Sequence, residues 1–294
     1  MATTPSVGFI GIGTMGWPMA ANIHKAGLPL RVHDSDEARM RRFCEEHVGA
    51  KGGSLGEVAG QEVVVTMLPT GRIVREVLTE AAGGEFARHV RPGTLVIDMS
   101  SSEPTGSRHL ADWLAARGVV FVDAPVSGAE PRARAGTLTI MIGCDESSVL
   151  PKARQVLATM GNRLFETGGC GSGHACKALN NLLGATAFAA TSEAVLIAER
   201  FGLDPAVLVD ILNVSTGKSF ISEVVMKEHV LERKYATGFK MGLMAKDVQI
   251  AADLAAAVGL AAPVTQLVNQ RWQQALEQQG FDADNTEAIK FWQR

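Results

Sequence analysis

The sequence predicts an α/β chain in two parts: a mostly parallel sheet with helices on both faces over residues 1–165, then an all-α part over residues 166–294, joined by one long helix. Three observations carry this. From Val7 to about Phe165, short β-rich runs alternate with helical stretches, the pattern of strands linked by helical crossovers. Past Gly173 the β-branched alternation fades, and Ala- and Leu-rich segments with helical periodicity replace it. Between the two lies a turn rich in glycine, Thr167-Gly168-Gly169-Cys170-Gly171-Ser172-Gly173.

The strands are expected at Val7–Ile10, Leu30–Val32, Val63–Thr66, Leu95–Asp98, Val119–Val122 and Leu138–Met141. After the glycine turn a helix of roughly 25 residues, longer than usual, runs to about Phe201. Its small residues predict close packing on all sides. Trp113, Trp272 and Trp292 are expected to pack between helices, and Phe220 to line a pocket mouth.

Composition bounds the function. With 28 Lys+Arg against 31 Asp+Glu the net charge is −3, and no dense basic run is present to track a phosphate backbone, so nucleic acid is not an expected partner. The four cysteines, Cys44, Cys144, Cys170 and Cys176, lack paired zinc spacing and are too sparse for a disulfide framework. A reducing, cytoplasmic setting is expected. The N-terminal residues carry no signal-peptide pattern. The apolar stretch Leu182–Ala198 contains Glu193 and much Ala and Thr, so it reads as a buried helix, and no membrane is expected. The histidines show no ligand spacing, so no metal is expected.

The chemistry begins at Gly11-Ile12-Gly13-Thr14-Met15-Gly16, which follows the first strand directly and opens a helix. Gly11 permits the tight turn, Gly13 lets backbone approach a pyrophosphate, and Gly16 lets helix and strand pack closely. Asp34 closes the second strand about twenty residues on, where a carboxylate accepts the ribose hydroxyls of NAD and repels the extra phosphate of NADP. Ser35 is not the Arg often found at a phosphate site. A Rossmann-type domain binding NAD, with NADP less favoured, is the reading. A structural glycine turn, and Asp34 as a cap for the helix starting near Asp36, remain open alternatives.

The stretch Gly8 to Asn22 resembles the opening of the β-hydroxyacid dehydrogenase family, which includes 3-hydroxyisobutyrate dehydrogenase and tartronate semialdehyde reductase. Three more motifs follow in the family's order: Asp123-Ala124-Pro125-Val126-Ser127-Gly128 with Gly136-Thr137-Leu138, then Gly171-Ser172-Gly173-His174-Ala175-Cys176-Lys177 with Asn181, then Lys246-Asp247. The likeness covers essentially the whole chain. One departure is Gly128-Ala129, where the family usually has two glycines. The 6-phosphogluconate dehydrogenases have a much longer chain and a His where this one has Asn180, which disfavours that activity.

The resemblance implies hydride transfer between NAD and a small 3-hydroxy acid, 3-hydroxyisobutyrate-like or of the tartronate semialdehyde/glycerate type. It implies Lys177 as catalytic general acid/base, Asn181 orienting substrate, and Leu68, Pro69, Ser101 and Lys246 near the cofactor, with Asp247 orienting Lys246. The residues themselves agree. A buried lysine can both donate and accept a proton near neutrality, and Asn181 lies one turn beyond Lys177 on the same helical face. Ser127 and Gly128 lie just past a strand end, where a hydroxyl and backbone amides can hold a carboxylate. A surface Lys177, a structural Asn181 and a simple turn at Ser127 are the competing readings. Lys218 is a candidate for selecting the substrate's distal end. His174 reads as a variable position in its motif. A non-catalytic cofactor-binding module and an imine reductase are the alternative functions, both disfavoured by Lys177. The Ala-rich segments Leu182–Ala198 and Ala251–Ala262 predict a homodimer or homotetramer.

Overall fold

The computed structural model describes residues 4–293, and the chain divides into two compact units, the first ending at Lys177 and the second starting at Ala178. The boundary expected at 165/166 lies earlier than this division. The reason is local: the first turn of the long helix is hydrogen-bonded to the sheet through Asp123 and so belongs to the first unit.

In the first unit the strands and helices alternate from the start. β1 (Val7–Ile10), α1 (Gly16–Lys25), β2 (Leu30–His33), α2 (Glu37–Glu46) and β3 (Lys51–Gly52) open it. α3 (Leu55–Ala59), β4 (Val63–Thr66), α4 (Gly71–Thr79), α5 (Ala81–His89) and β5 (Leu95–Asp98) follow. Then come α6 (Pro104–Ala115), β6 (Val120–Asp123), β7 (Val126–Ser127), α7 (Ala129–Ala135), β8 (Leu138–Gly143), α8 (Leu150–Leu157) and β9 (Gly161–Gly168). Local chemistry starts the helices: Asp36 caps α2, Ser54 and Glu57 form a reciprocal capping box at α3, and Thr70 caps α4.

The sheet order is β3-β2-β1-β4-β5-β6-β8-β7, with β9 paired to β8. β1 to β6 are parallel, whereas β8 runs antiparallel to both β6 and β7. Alternate residues of one strand feed opposite cores. Val63 and Val65 belong to the core that also holds Met19, Ile23, Phe43 and Val156, while Val64 belongs to the one that holds Val58, Leu78, Phe86 and Leu110. That two-sided burial is why these strands read as unbroken apolar runs. β3, β7 and β9 were not foreseen: the first two are two residues long, and β9 is largely exposed and polar.

α9 (Ser172–Phe201) is a single helix of 30 residues that leaves the first unit and enters the second. The second unit continues with α10 (Pro205–Asn213), a π-helical segment Ile221–Val230, α11 (Met241–Ala257), α12 (Pro263–Gln279) and α13 (Ala288–Trp292). Its core centres on Trp272, Trp292 and Phe188, whose ring centroids lie 5.7–5.8 Å apart. Trp113 differs: it lies beneath the guanidinium of Arg117 in the first unit. The expected all-round packing of α9 is not met within the chain. Leu183, Ile197 and Phe201 are 70%, 67% and 87% exposed, left uncovered by the described residues. By length and hydropathy alone α9 is long and apolar enough to cross a membrane.

Candidate active site

The loop between β1 and α1 is set by its glycines. Gly11 has φ +94°, and a Cβ there would meet the Met67 carbonyl and the Leu68 side chain. A Cβ on Gly16 would collide with the Gly11 carbonyl, so strand and helix pack closely only without it. Gly13 behaves differently: a Cβ would meet nothing within 4 Å. The chain's own packing does not require glycine there, and the open space is what a phosphate approaching the backbone needs. No side chain caps the first turn of α1 and no acid lies in it, so the turn's N–H groups suit an anion. Thr14 and Met15 complete the loop. These residues fit a dinucleotide.

Asp34 is buried, and its carboxylate turns back to this loop. Ile12 N–H donates to Oδ2 at 2.9 Å, Asp36 N–H donates to Oδ1 at 2.9 Å, and Arg39 Nη1 donates to Oδ1 at 3.2 Å. The cap of α2 is Asp36, which accepts from Arg39 N–H. Asp34 is therefore not the helix cap, and Oδ2 keeps acceptor capacity for a further donor. Arg39, beside Asp34, was not anticipated: it lies five residues on, a turn inside the helix rather than next to the acid.

At the C-terminal ends of the central strands a buried polar network has formed. The parallel register pairs Asp98 of β5 with Asp123 of β6. Asp98 accepts from Thr66 Oγ1 at 2.8 Å, Ser100 N–H at 3.0 Å and Ser102 Oγ at 2.7 Å. Ser100 Oγ accepts from Leu68 N–H at 2.9 Å, which joins the Leu68-Pro69 rim to the loop containing Ser101. Asp123 accepts from Gly171 N–H at 2.7 Å and His174 N–H at 2.8 Å, capping α9 from a distant strand. Burial pushes the Asp123 carboxyl above its usual range, while His174 and these N–H donors pull it back. Gly143 and Gly173 leave the room this carboxylate occupies. Burial likewise pushes the Cys170 thiol up to about 12, with Asp123 and Asp145 adding to the effect.

Lys177 is half-buried on the second turn of α9, still within the first unit. Ser127 ends β7, opposite Thr139. Gly128 has φ +137° and lies against the Arg132 side chain, and Ala129 holds φ +55°, a left-handed geometry that the family's usual glycine adopts freely.

Asn181 and Lys246 lie in the second unit, brought together by Asp247. Buried Asp247 accepts from Asn181 Nδ2 at 2.6 Å, and Lys246 Nζ lies 2.9 Å from its other oxygen. Asn180 donates to Asn181 Oδ1 at 3.1 Å. Lys218 is half-exposed and paired with Glu223 at 2.7 Å.

Residues 6–169 match the NAD binding domain of 6-phosphogluconate dehydrogenase, and residues 171–292 match the family described as NAD-binding of NADP-dependent 3-hydroxyisobutyrate dehydrogenase. The chain is 32% identical over its whole length to 2-(hydroxymethyl)glutarate dehydrogenase of Eubacterium barkeri, spanning 97% of that protein. It is 35% identical to the NAD-dependent L-serine dehydrogenase of Pseudomonas aeruginosa over 92% of each chain. Among solved structures, 3-hydroxyisobutyrate dehydrogenase of Mycobacterium tuberculosis with L-serine superposes with a TM-score of 0.89 at 30% identity, over 99% of this chain and 100% of that one. The glycine loop with the Asp34 carboxylate facing it, the lysine-bearing helix and these likenesses along the full length agree: the chain belongs to the β-hydroxyacid dehydrogenase family of NAD(P)-dependent oxidoreductases acting on CH–OH groups.

Proposed function

We propose that the protein interconverts a 3-hydroxy acid of the form HO–CH2–CH(R)–COO⁻ with its semialdehyde, using Lys177 as the proton carrier and NAD in preference to NADP. The substrate form is the part common to the relatives: 3-hydroxyisobutyrate, L-serine and 2-(hydroxymethyl)glutarate each carry a hydroxymethyl group on the carbon next to a carboxylate. The observation that carries the catalytic reading is the anchoring of α9. Asp123 fixes the helix's first turn to the strand ends, and Lys177 stands one turn further on.

When bound, the dinucleotide supplies the hydride acceptor. Lys177 takes the hydroxyl proton as the carbonyl forms, and returns it to the carbonyl oxygen in the reverse direction. Ser127 and the amides near Gly128 hold the carboxylate. Asn181, held by Asp247, orients the substrate. Asp34 supports NAD through its buried carboxylate facing the glycine loop. Arg39 beside it favours a second reading, in which a 2′-phosphate is accepted.

The exposed apolar face of the second unit is read as the seat of a second copy of the chain, not of a bilayer. α9 carries Lys177, Glu193 and Arg200 along its length, and exposed apolar side chains occur on α9, α10 and α12 alike, Leu183, Ile211 and Leu267 among them. All four cysteines are free thiols, which supports the cytoplasm as compartment. The test of substrate is a panel of HO–CH2–CH(R)–COO⁻ acids with R as methyl, hydroxyl, ammonium and carboxyethyl, followed by NADH formation. Turnover of at least one is expected. Turnover only of secondary alcohols or amines would contradict the reading.

A further inference from the structure

The ring of His174 lies at the junction of three elements, and the reaction described above does not use it. It is 1% exposed. Nε2 lies 3.1 Å from the Ser100 carbonyl, which can only accept, so Nε2 carries a proton. Nδ1 lies 2.7 Å from Ser107 Oγ on α6. Ser107 in turn lies 3.1 Å from the Glu103 carbonyl, so its single proton serves either Nδ1 or that carbonyl. Two carboxylates flank the ring: Asp98 Oδ2 is 3.6 Å from Nε2 and Asp123 Oδ2 is 3.8 Å from Nδ1. The backbone N–H of the same residue donates to Asp123.

We propose that His174 is a positioning residue that couples the Ser100–Ser102 loop to the helix carrying Lys177. One side chain bonds the loop through Ser100, and its backbone bonds the strand end through Asp123, three residues before the lysine. The loop is the one that contains Ser101 and, through Ser100, holds Leu68. A shift of the ring therefore moves the cofactor-side loop and the proton carrier relative to each other. Misplacement of a reacting group by about 1 Å costs on the order of 10²-fold in rate. The inference rests on Lys177 being the proton carrier.

Three full-length variants test it: His174→Ala, His174→Gln and Ser107→Ala. The readouts are kcat, KM for the hydroxy acid, NADH affinity by fluorescence titration, and thermal unfolding. His174→Ala is expected to lower kcat by about 10–100-fold and to weaken NADH binding several-fold. His174→Gln keeps a donor able to reach the Ser100 carbonyl and is expected to recover most of both losses. Ser107→Ala frees one side of the ring and should give a smaller loss of kcat in the same direction. A purely structural histidine would lower the unfolding temperature and leave kcat and NADH affinity of the folded fraction unchanged. That outcome, or a glutamine variant as impaired as alanine, overturns the proposal. Should the alanine variant not fold, wild-type kcat in Ser107→Ala overturns it instead. Retention of turnover in Lys177→Ala would remove the catalytic reading, whereas the His174 coupling would still be read in NADH affinity.

Discussion

Asn181 Nδ2 donates to Asp247 Oδ2 at 2.6 Å, while Lys246 engages the other oxygen of the same buried carboxylate. Asp247 therefore holds the two groups proposed to meet substrate and cofactor. Charge-assisted bonds of this kind contribute about 1.5–3 kcal/mol each. Asp247→Ala is expected to lower kcat/KM by roughly 10–100-fold, with KM raised and kcat reduced together. Steady-state kinetics check this, and values within twofold of wild type would contradict it.

Asp34 and Arg39, 3.2 Å apart beside the glycine loop, are the pair proposed to set the cofactor preference. With the carboxylate facing the glycine loop, NAD is expected to give the higher kcat/KM, and Arg39→Ala should leave it nearly unchanged. A wild-type preference for NADP that Arg39→Ala abolishes would show that the guanidinium reads a 2′-phosphate.

Much of this was legible in the sequence because it depended on nearest neighbours along the chain. Apolar runs such as Val63–Thr66 are strands buried on both faces, and glycines between a strand and a helix make the expected turn. What escaped depended on register and crossing. His174 has no sequence signal of its own; it matters because pairing β5 with β6 sets Asp98 beside Asp123, and α9 then docks on both. Arg39 reaches Asp34 only because one turn of α2 points it back. The edge strand β9 was missed because exposed Asn162, Arg163 and Glu166 break the apolar pattern.

Strain in the turn after β7 is testable through Ala129, whose φ of +55° is costly for a residue with a Cβ. Relief of left-handed strain, about 1–2 kcal/mol, is partly offset by the greater chain freedom of glycine when unfolded, about 0.4–1 kcal/mol. Ala129→Gly is expected to gain roughly 0.5–1 kcal/mol, whereas Gly128→Ala, at φ +137° and against Arg132, should lose about 1–3 kcal/mol. Denaturant unfolding of both variants checks the signs. A destabilised Ala129→Gly would contradict the argument.

Among the described residues, the exposed large apolar side chains are Val48, Phe165 and a group that lies entirely within or beyond α9. Exposed apolar side chains gathered in this part of the chain support the proposed association with further copies. Light scattering at micromolar concentration is expected to give a dimer or tetramer, and Leu183→Glu with Leu267→Glu should shift it toward monomer. A monomeric wild type would refute the assignment.

In the proposed mechanism Lys177 moves the proton while the glycine loop and Asp34 hold the dinucleotide. General acid–base catalysis contributes about 10²–10⁴-fold, and a lysine also stabilises alkoxide charge, so Lys177→Ala should lose at least the upper end of that range. The direct measurement is NADH titration beside steady-state kinetics on this one variant. Lost turnover with NADH affinity close to wild type is expected; turnover within a few-fold of wild type, or NADH binding lost along with activity, would contradict the role of Lys177 as proton carrier.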